Sequence, residues 1–220
     1  MRSGRTTAAV LAGLLALTLA ACGGGGETAD PTTTTEPPAT TTTEDPVADV
    51  TGEWTMTLSV VETVPPGVEL PPESAVKDRD LGLRPGECPE PTDVVFTGDA
   101  GPGGVEGSAG EADGECVGAA TIGVGSGVFE NLPLLATEDG FTVALRVDSL
   151  CIDADTGAAD PESAFVTDLE YRFSVVEEDG TCAPTRLGGD AVETHAAEST
   201  CPSSTGADVA TYELVAAPAR

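Results

Sequence analysis

The stretch "FVTDLEYRFSVVE", Phe165 to Glu177, sets Phe165, Leu169, Tyr171, Phe173 and Val175 against Asp168, Glu170, Arg172 and Ser174. Alternation with a period of two is the mark of a strand that buries one face and wets the other. A helix would need its apolar residues three and four positions apart, and this stretch does not supply them. The same pattern recurs outward in both directions. Trp54, Met56, Leu58 and Val60 oppose Thr55, Thr57 and Ser59, and Cys116, Gly118, Ala120, Ile122 and Val124 alternate likewise. Phe141, Val143, Leu145 and Val147 face away from Thr142, Ala144, Arg146 and Asp148, while "DVATYELVA" puts Tyr212 and Leu214 on one face. Turn-forming clusters separate the runs: Glu138-Asp139-Gly140, Glu178-Asp179-Gly180 and Leu187-Gly188-Gly189-Asp190. The expected fold is all-β, an antiparallel meander of about eight or nine strands closing as a barrel or sandwich. Between the first strand and the next, the proline-rich "VPPGVELPPESAVKDRDLGLRPGECPEP" reads as a long loop, a lid or an excursion.

The β pattern begins near Val50, and what precedes it has a different composition. From Ala8 to Ala21 the chain carries only apolar and small residues, with Arg2 and Arg5 in front. As a helix this run spans about 21 Å, short of the roughly 30 Å hydrocarbon core. Charge, apolar run and small residues in that order make a secretory signal. Its end, Leu19-Ala20-Ala21-Cys22, resembles the lipobox of bacterial lipoproteins. That resemblance implies a diacylglyceryl group on Cys22, which becomes the first residue of the mature chain. Two acyl chains hold a protein stably at a bilayer where one holds it only marginally. The expected partner of this end is therefore the membrane, through lipid and without a spanning helix.

Residues 23–49, "GGGGETADPTTTTEPPATTTTEDPVAD", hold threonine, proline, glycine and acids and no base. Such a segment cannot bury enough apolar surface to offset its ordering, and it reads as a disordered tether. The organisation is thus residues 1–21 as lipoprotein signal peptide, 22–49 as lipidated cysteine and tether, and 50–220 as the β domain. The lipobox, the acidic Thr/Pro tether, "GEWTMTLSV" and the closing "ATYELVAAPAR" resemble the small exported β domains of high-GC actinobacteria. The opening Gly52-x-Trp54 is also similar to the start of the first barrel strand in lipocalins, which implies a barrel able to carry a small apolar molecule.

The chain holds 38 acids against nine Lys and Arg, a formal net charge of −29. A surface of this sign repels phosphate backbones, so no nucleic-acid partner is expected, whereas a basic protein suits it. Apart from Cys22 there are five cysteines: Cys88, Cys116, Cys151, Cys182 and Cys201. Their spacing fits no zinc motif, and His195 is the lone histidine. In an oxidising compartment they read as two disulfides and one thiol. With up-and-down strands, Cys151 and Cys201 finish on one rim and Cys88 and Cys116 on the other. Cys182 also lies at that second rim, left as the free thiol or exchanged with either partner there.

Catalytic patterns are absent from the motifs. Ser126 in "GVGSGVF" lacks the spacing of a nucleophile elbow, and His195 reads as a surface residue near a strand end. "GPGGVEGSAG" lacks the Lys-Ser/Thr ending of a phosphate loop and reads as a loop. Asp153, Asp155, Asp160 and Glu162 offer oxygen ligands of the kind calcium takes. Their stretch has Ala158 and Ala164 where an EF-hand loop wants Gly and Glu, so a solvated turn is the simpler expectation. No cofactor is expected. The function these observations imply is that of a cell-envelope lipoprotein, anchored on the outer face of the membrane, with a non-catalytic β domain binding a ligand or a protein partner. A lipocalin-like carrier and a carboxylate-dependent hydrolase are the alternatives.

Overall fold

The computed structural model describes residues 50–153, 155–178, 183–201 and 206–220. Cys22, the tether and Cys182 lie outside them. Among the described residues ten strands form: β1 (Gly52–Val64), β2 (Val76–Pro85), β3 (Val95–Gly98), β4 (Glu106–Ala109), β5 (Glu115–Val124), β6 (Gly127–Thr137), β7 (Gly140–Ser149), β8 (Phe165–Glu178), β9 (Pro184–His195) and β10 (Val209–Pro218). One helical turn, α1 (Pro72–Ala75), leads into β2. Among the described residues no helix is long and apolar enough to cross a membrane.

Every pairing between strands is antiparallel. The order β6-β5-β2-β1-β10-β9-β8-β7 is closed by contact of β7 with β6, which makes an eight-stranded up-and-down barrel. Closure leaves no barrel strand without two neighbours, which settles the edge problem of an open sheet. Strands β3 and β4, both within the connection from β2 to β5, lie outside the ring. The β6–β7 pairing covers only Leu135–Thr142, Ala136–Phe141 and Thr137–Gly140. Beyond it β6 takes β3 as its neighbour and β7 takes β4. The divergence has a local cause in β6. Asn131 has a φ of 61°, and the β5–β6 register slips between Ala120 and Ile122. Such a bulge bends a strand away from its plane, and the nearby Pro133 has no N–H to offer a departing neighbour.

Inward positions repeat at a period of two on each barrel strand. Trp54, Met56 and Leu58 on β1 meet Leu81 and Leu83 on β2, with Phe141, Val143 and Leu145 on β7 and Tyr171 and Phe173 on β8. Ala191 on β9 and Tyr212, Leu214 and Ala216 on β10 complete the interior. The two ends differ. The base, where β1 enters and β10 leaves, is stoppered by Trp54, whose indole Nε1 donates to the carbonyl of fully buried Val50 at 2.9 Å. The opposite end, where β1, β5, β7 and β9 finish, is the mouth. Cys88–Cys116 lies at the base and Cys151–Cys201 at the mouth, with Cα–Cα distances of 6.0 and 6.1 Å. Both fall in the ordinary disulfide range.

Three segments depart from the sequence reading. Leu187-Gly188-Gly189-Asp190 is not a turn but the middle of β9, where Gly189 pairs with Phe173 and Leu214. A Cβ on Gly189 would sit 2.0 Å from the carbonyl oxygen of Arg172. Glycine is there because the β8 backbone comes too close for any side chain, a common reason for glycine inside a strand. Gly189→Val should therefore force β8 and β9 apart and destabilise by about 3 kcal/mol. Urea unfolding followed by circular dichroism would measure it, and a change under about 1 kcal/mol would mean the contact relaxes easily. The second departure is the glycine-rich "GPGGVEGSAG", which contains β4. Gly107 makes room for the ring of Phe129, 2.4 Å from where a Cβ would stand. The third is the proline-rich segment after β1. It is not all loop: it contains β2, a full barrel strand.

Candidate functional site

Strand β2 decides what the mouth contains. Its inward positions run Lys77, Arg79, Leu81, Leu83, and its outward ones Asp78 and Asp80. Register fixes the depth of each: Leu58 faces Lys77, Met56 faces Arg79 and Trp54 faces Leu81. The lower two layers are fully buried leucine, and the upper two are cations inside a barrel wall.

These cations border a cavity of about 170 Å³ in the mouth. Its apolar lining is Leu58, Val124, Val147, Phe165, Leu169, Ala191 and Val192, and its polar groups come from Lys77, Arg79, Thr167, Glu193, Tyr171 and Tyr212. A few convergent polar groups in an otherwise apolar concavity are the usual composition of a small-molecule site. An apolar cavity of about 150 Å³ accepts a benzene ring, so this one has room for a group of that size.

Lys77 Nζ makes an ion pair with Glu193 and lies 4.8 Å from the centre of the Tyr212 ring. The side chains of Lys77 and Glu193 are 11 % and 28 % exposed, so water screens this pair far less than a surface one. The Tyr212 hydroxyl stands 3.5 Å from the same carboxylate. Burial raises its pKa, the effect Lys77 opposes and Glu193 assists. Arg79 is different. Its Nη1 donates to the backbone oxygen of Asp78 at 3.1 Å, while its Nε is buried without a hydrogen-bond partner. Among the described residues no carboxylate forms an ion pair with it.

Tyr171 is fully buried. Burial pushes its hydroxyl up to about 12, against the pull of the neighbouring Arg79 charge. The folded state thus keeps the proton that an unfolded chain releases near pH 10. This contribution is complete below that pH and is lost as pH rises through about 12, on the order of 2–3 kcal/mol. Thermal melts taken at steps across that interval should show the decline, and Tyr171→Phe should flatten it. Equal alkaline slopes for both proteins would place the sensitivity elsewhere.

His195 does not lie on the surface. It ends β9 on the inward face that carries Ala191 and Glu193, so the strand's own alternation carries it to the rim. There it is half-buried, its Nε2 2.9 Å from the Cys201 carbonyl oxygen and its ring 5.2 Å from that of Phe165. Its Nδ1 is buried with no hydrogen-bond partner.

The remaining residues singled out from the sequence lie away from the cavity lining. Asp153 Oδ1 accepts from the backbone N–H of Asp155 and Thr156 and from the Thr156 hydroxyl, at 3.1, 2.7 and 2.8 Å. The Thr156 hydroxyl bond leads the causes that hold this carboxyl below its ordinary range. Asp160 Oδ1 accepts from the Glu162 N–H at 3.0 Å. These carboxylates shape a turn between β7 and β8, and among the described residues no group of three or more metal-ligating side chains forms. Ser126 sits in the β5–β6 turn, with its hydroxyl donating to the Asp99 carbonyl at 3.0 Å.

Sequence reasoning passed over Lys77, Arg79 and Glu193 as site residues. The available signal was the alternation in "VKDRDLGLRP", two cations in phase with two leucines. The chain matches no protein-family model, no curated protein and no solved structure.

Proposed function

We propose that this chain is an exported envelope lipoprotein whose barrel binds a small molecule in its mouth. The observation that carries the reading is the cavity itself: Lys77, Arg79, Glu193 and two tyrosines set into an apolar ring at the open end of a barrel whose base is stoppered. An interior filled only for stability would place apolar side chains there, because buried polar and charged groups cost free energy unless well partnered. Glu193, the one carboxylate among the described residues lining the cavity, is engaged by Lys77. That arrangement favours binding over hydrolysis by paired carboxylates. Two disulfides among the described cysteines favour an oxidising compartment, and the lipobox at Cys22 favours attachment there by lipid.

Native mass spectrometry of the full chain, extracted gently from the membranes of its own host, tests the reading. A reproducible added mass beyond the lipid on Cys22, lost on unfolding, is the expected result. A bare lipoprotein mass in every preparation would count against it and direct attention to a protein partner. Cys22→Ser should release the protein from membranes, and unchanged retention would remove the anchor from the proposal.

A further inference from the structure

Resting on the reading of the barrel mouth as a ligand site, we infer that its ligand is a small organic monoanion, a carboxylate on an apolar body about the size of one ring. The argument begins with charge. Lys77 is answered by Glu193, so that pair is close to neutral and has no remaining call on a counter-charge. Arg79 is left over. In a chain with 38 acids and nine Lys and Arg, an inward-facing guanidinium that has no carboxylate partner among the described residues is notable, because the supply of partners is large. Three other arginines of the barrel wall show the contrast: Arg146 reaches Asp148 and Asp168, Arg172 reaches Glu170 and Asp190, and Arg186 reaches Glu177, while Arg84, exposed to water near the base end of β2, donates to the Thr121 hydroxyl. Arg79 instead lines the mouth cavity, its Nη1 on the Asp78 backbone oxygen and its Nε unpartnered.

One uncompensated positive charge asks for one negative charge. A dianionic phosphate would bring a second that nothing in the lining answers, and a cationic ligand would compete with Lys77 for Glu193. A neutral apolar ligand would strip water from Arg79 and return nothing, which is costly for an ion. A carboxylate suits the guanidinium fork, which offers two parallel N–H donors. The apolar lining, Val124, Val147, Phe165 and Leu169 among it, then receives the body of the molecule. The surrounding surface is strongly acidic, but salt screens exposed charges beyond a Debye length of about 8 Å. Inside the mouth the guanidinium dominates.

The test is calorimetric titration of the full chain with hydrocinnamate, hydrocinnamyl alcohol and hydrocinnamyl amine, which share a phenyl ring and differ in head group. Hydrocinnamate should bind about tenfold or more tightly than the alcohol, as charge-assisted hydrogen bonds imply, and the amine weakest. Arg79→Gln should abolish the preference for the acid and leave the affinity for the alcohol in place, while Arg79→Lys, keeping charge without the fork, should retain part of it. Fluorescence of the lone Trp54, at the far end of the barrel, confirms that each variant is folded. If the alcohol binds as well as the acid, the anion inference fails while the ligand-binding reading stands. A preference for the acid that survives in Arg79→Gln would overturn the assignment to Arg79. If none of the three binds the folded wild type, the inference and the reading beneath it fall together.

Discussion

Replacing Cys151 and Cys201 together by alanine is expected to lower stability by about 4 kcal/mol, the loop-closure value for a 50-residue separation. For a domain of this length that is a fall in melting temperature of about 8–16 °C. The bridge matters because of what it joins. Cys151 follows β7 at the mouth, and Cys201 lies in the segment that leaves β9 and runs beside the start of β8. That segment has other attachments. The Thr200 N–H donates to the Ala164 carbonyl at 2.8 Å, and the Ser199 hydroxyl accepts from the Val166 N–H at 2.8 Å. Arg146 forms an ion pair with Glu198 and holds that carboxyl below its ordinary range. The measurement is chemical denaturation of the double variant against wild type. A loss smaller than about 1 kcal/mol would show that these polar contacts, not the covalent bond, close the rim. The base bridge, Cys88–Cys116, spans 28 residues and should contribute about 3.5 kcal/mol.

A second large effect is expected at the other end. Trp54 is 4 % exposed and is the chain's one tryptophan. Its ring lies among the inward layer of the base, opposite Leu81 and Pro218, and its Nε1 holds the Val50 carbonyl. Trp54→Ala removes that volume and leaves a space that neighbouring strands cannot collapse into, because each is fixed by two partners. The expected cost is about 3–5 kcal/mol. Trp54→Phe keeps most of the apolar volume and gives up the hydrogen bond, so it should cost much less. Since the substitution deletes the fluorophore, far-ultraviolet circular dichroism is the suitable probe. Equal losses for Ala and Phe would mean that the bond to Val50 outweighs the packing.

How much of this was legible in the sequence depends on where each strand lies along the barrel axis. In β8 the alternation is plain because Leu169, Tyr171 and Phe173 cross the apolar middle of the interior. In β2 the same alternation was hidden, since its upper inward positions are Lys77 and Arg79 and its outward ones Asp78 and Asp80. All four look like a charged loop when polarity alone is read. The segment also follows a run of prolines, which strengthened that impression. Gly188-Gly189 looked like a turn for an equally local reason, because glycine marks both a chain reversal and a close approach of two backbones. The site was illegible for the reason β2 was. Its residues are polar side chains facing inward, and a reading that equates inward with apolar passes over them. The positions of Cys88, Cys116, Cys151 and Cys201 were easier, since strand direction alone carries a residue to one rim or the other.

The pairing of β1 with β10 joins the first strand of the domain to the last, Trp54 opposite Pro218. The other strand pairings of the ring join neighbours along the chain, apart from β2 with β5, which reaches across the excursion holding β3 and β4. Loop-closure entropy therefore falls most heavily on one seam. As a polypeptide appears from its amino end, β1 can pair with β2 early, yet its other side must wait until β10 has been delivered. Until then the growing sheet has an open border and an unfinished mouth. The last ten or so residues of the chain thus act as the clasp of the ring, and the polar pocket exists only once they are in place.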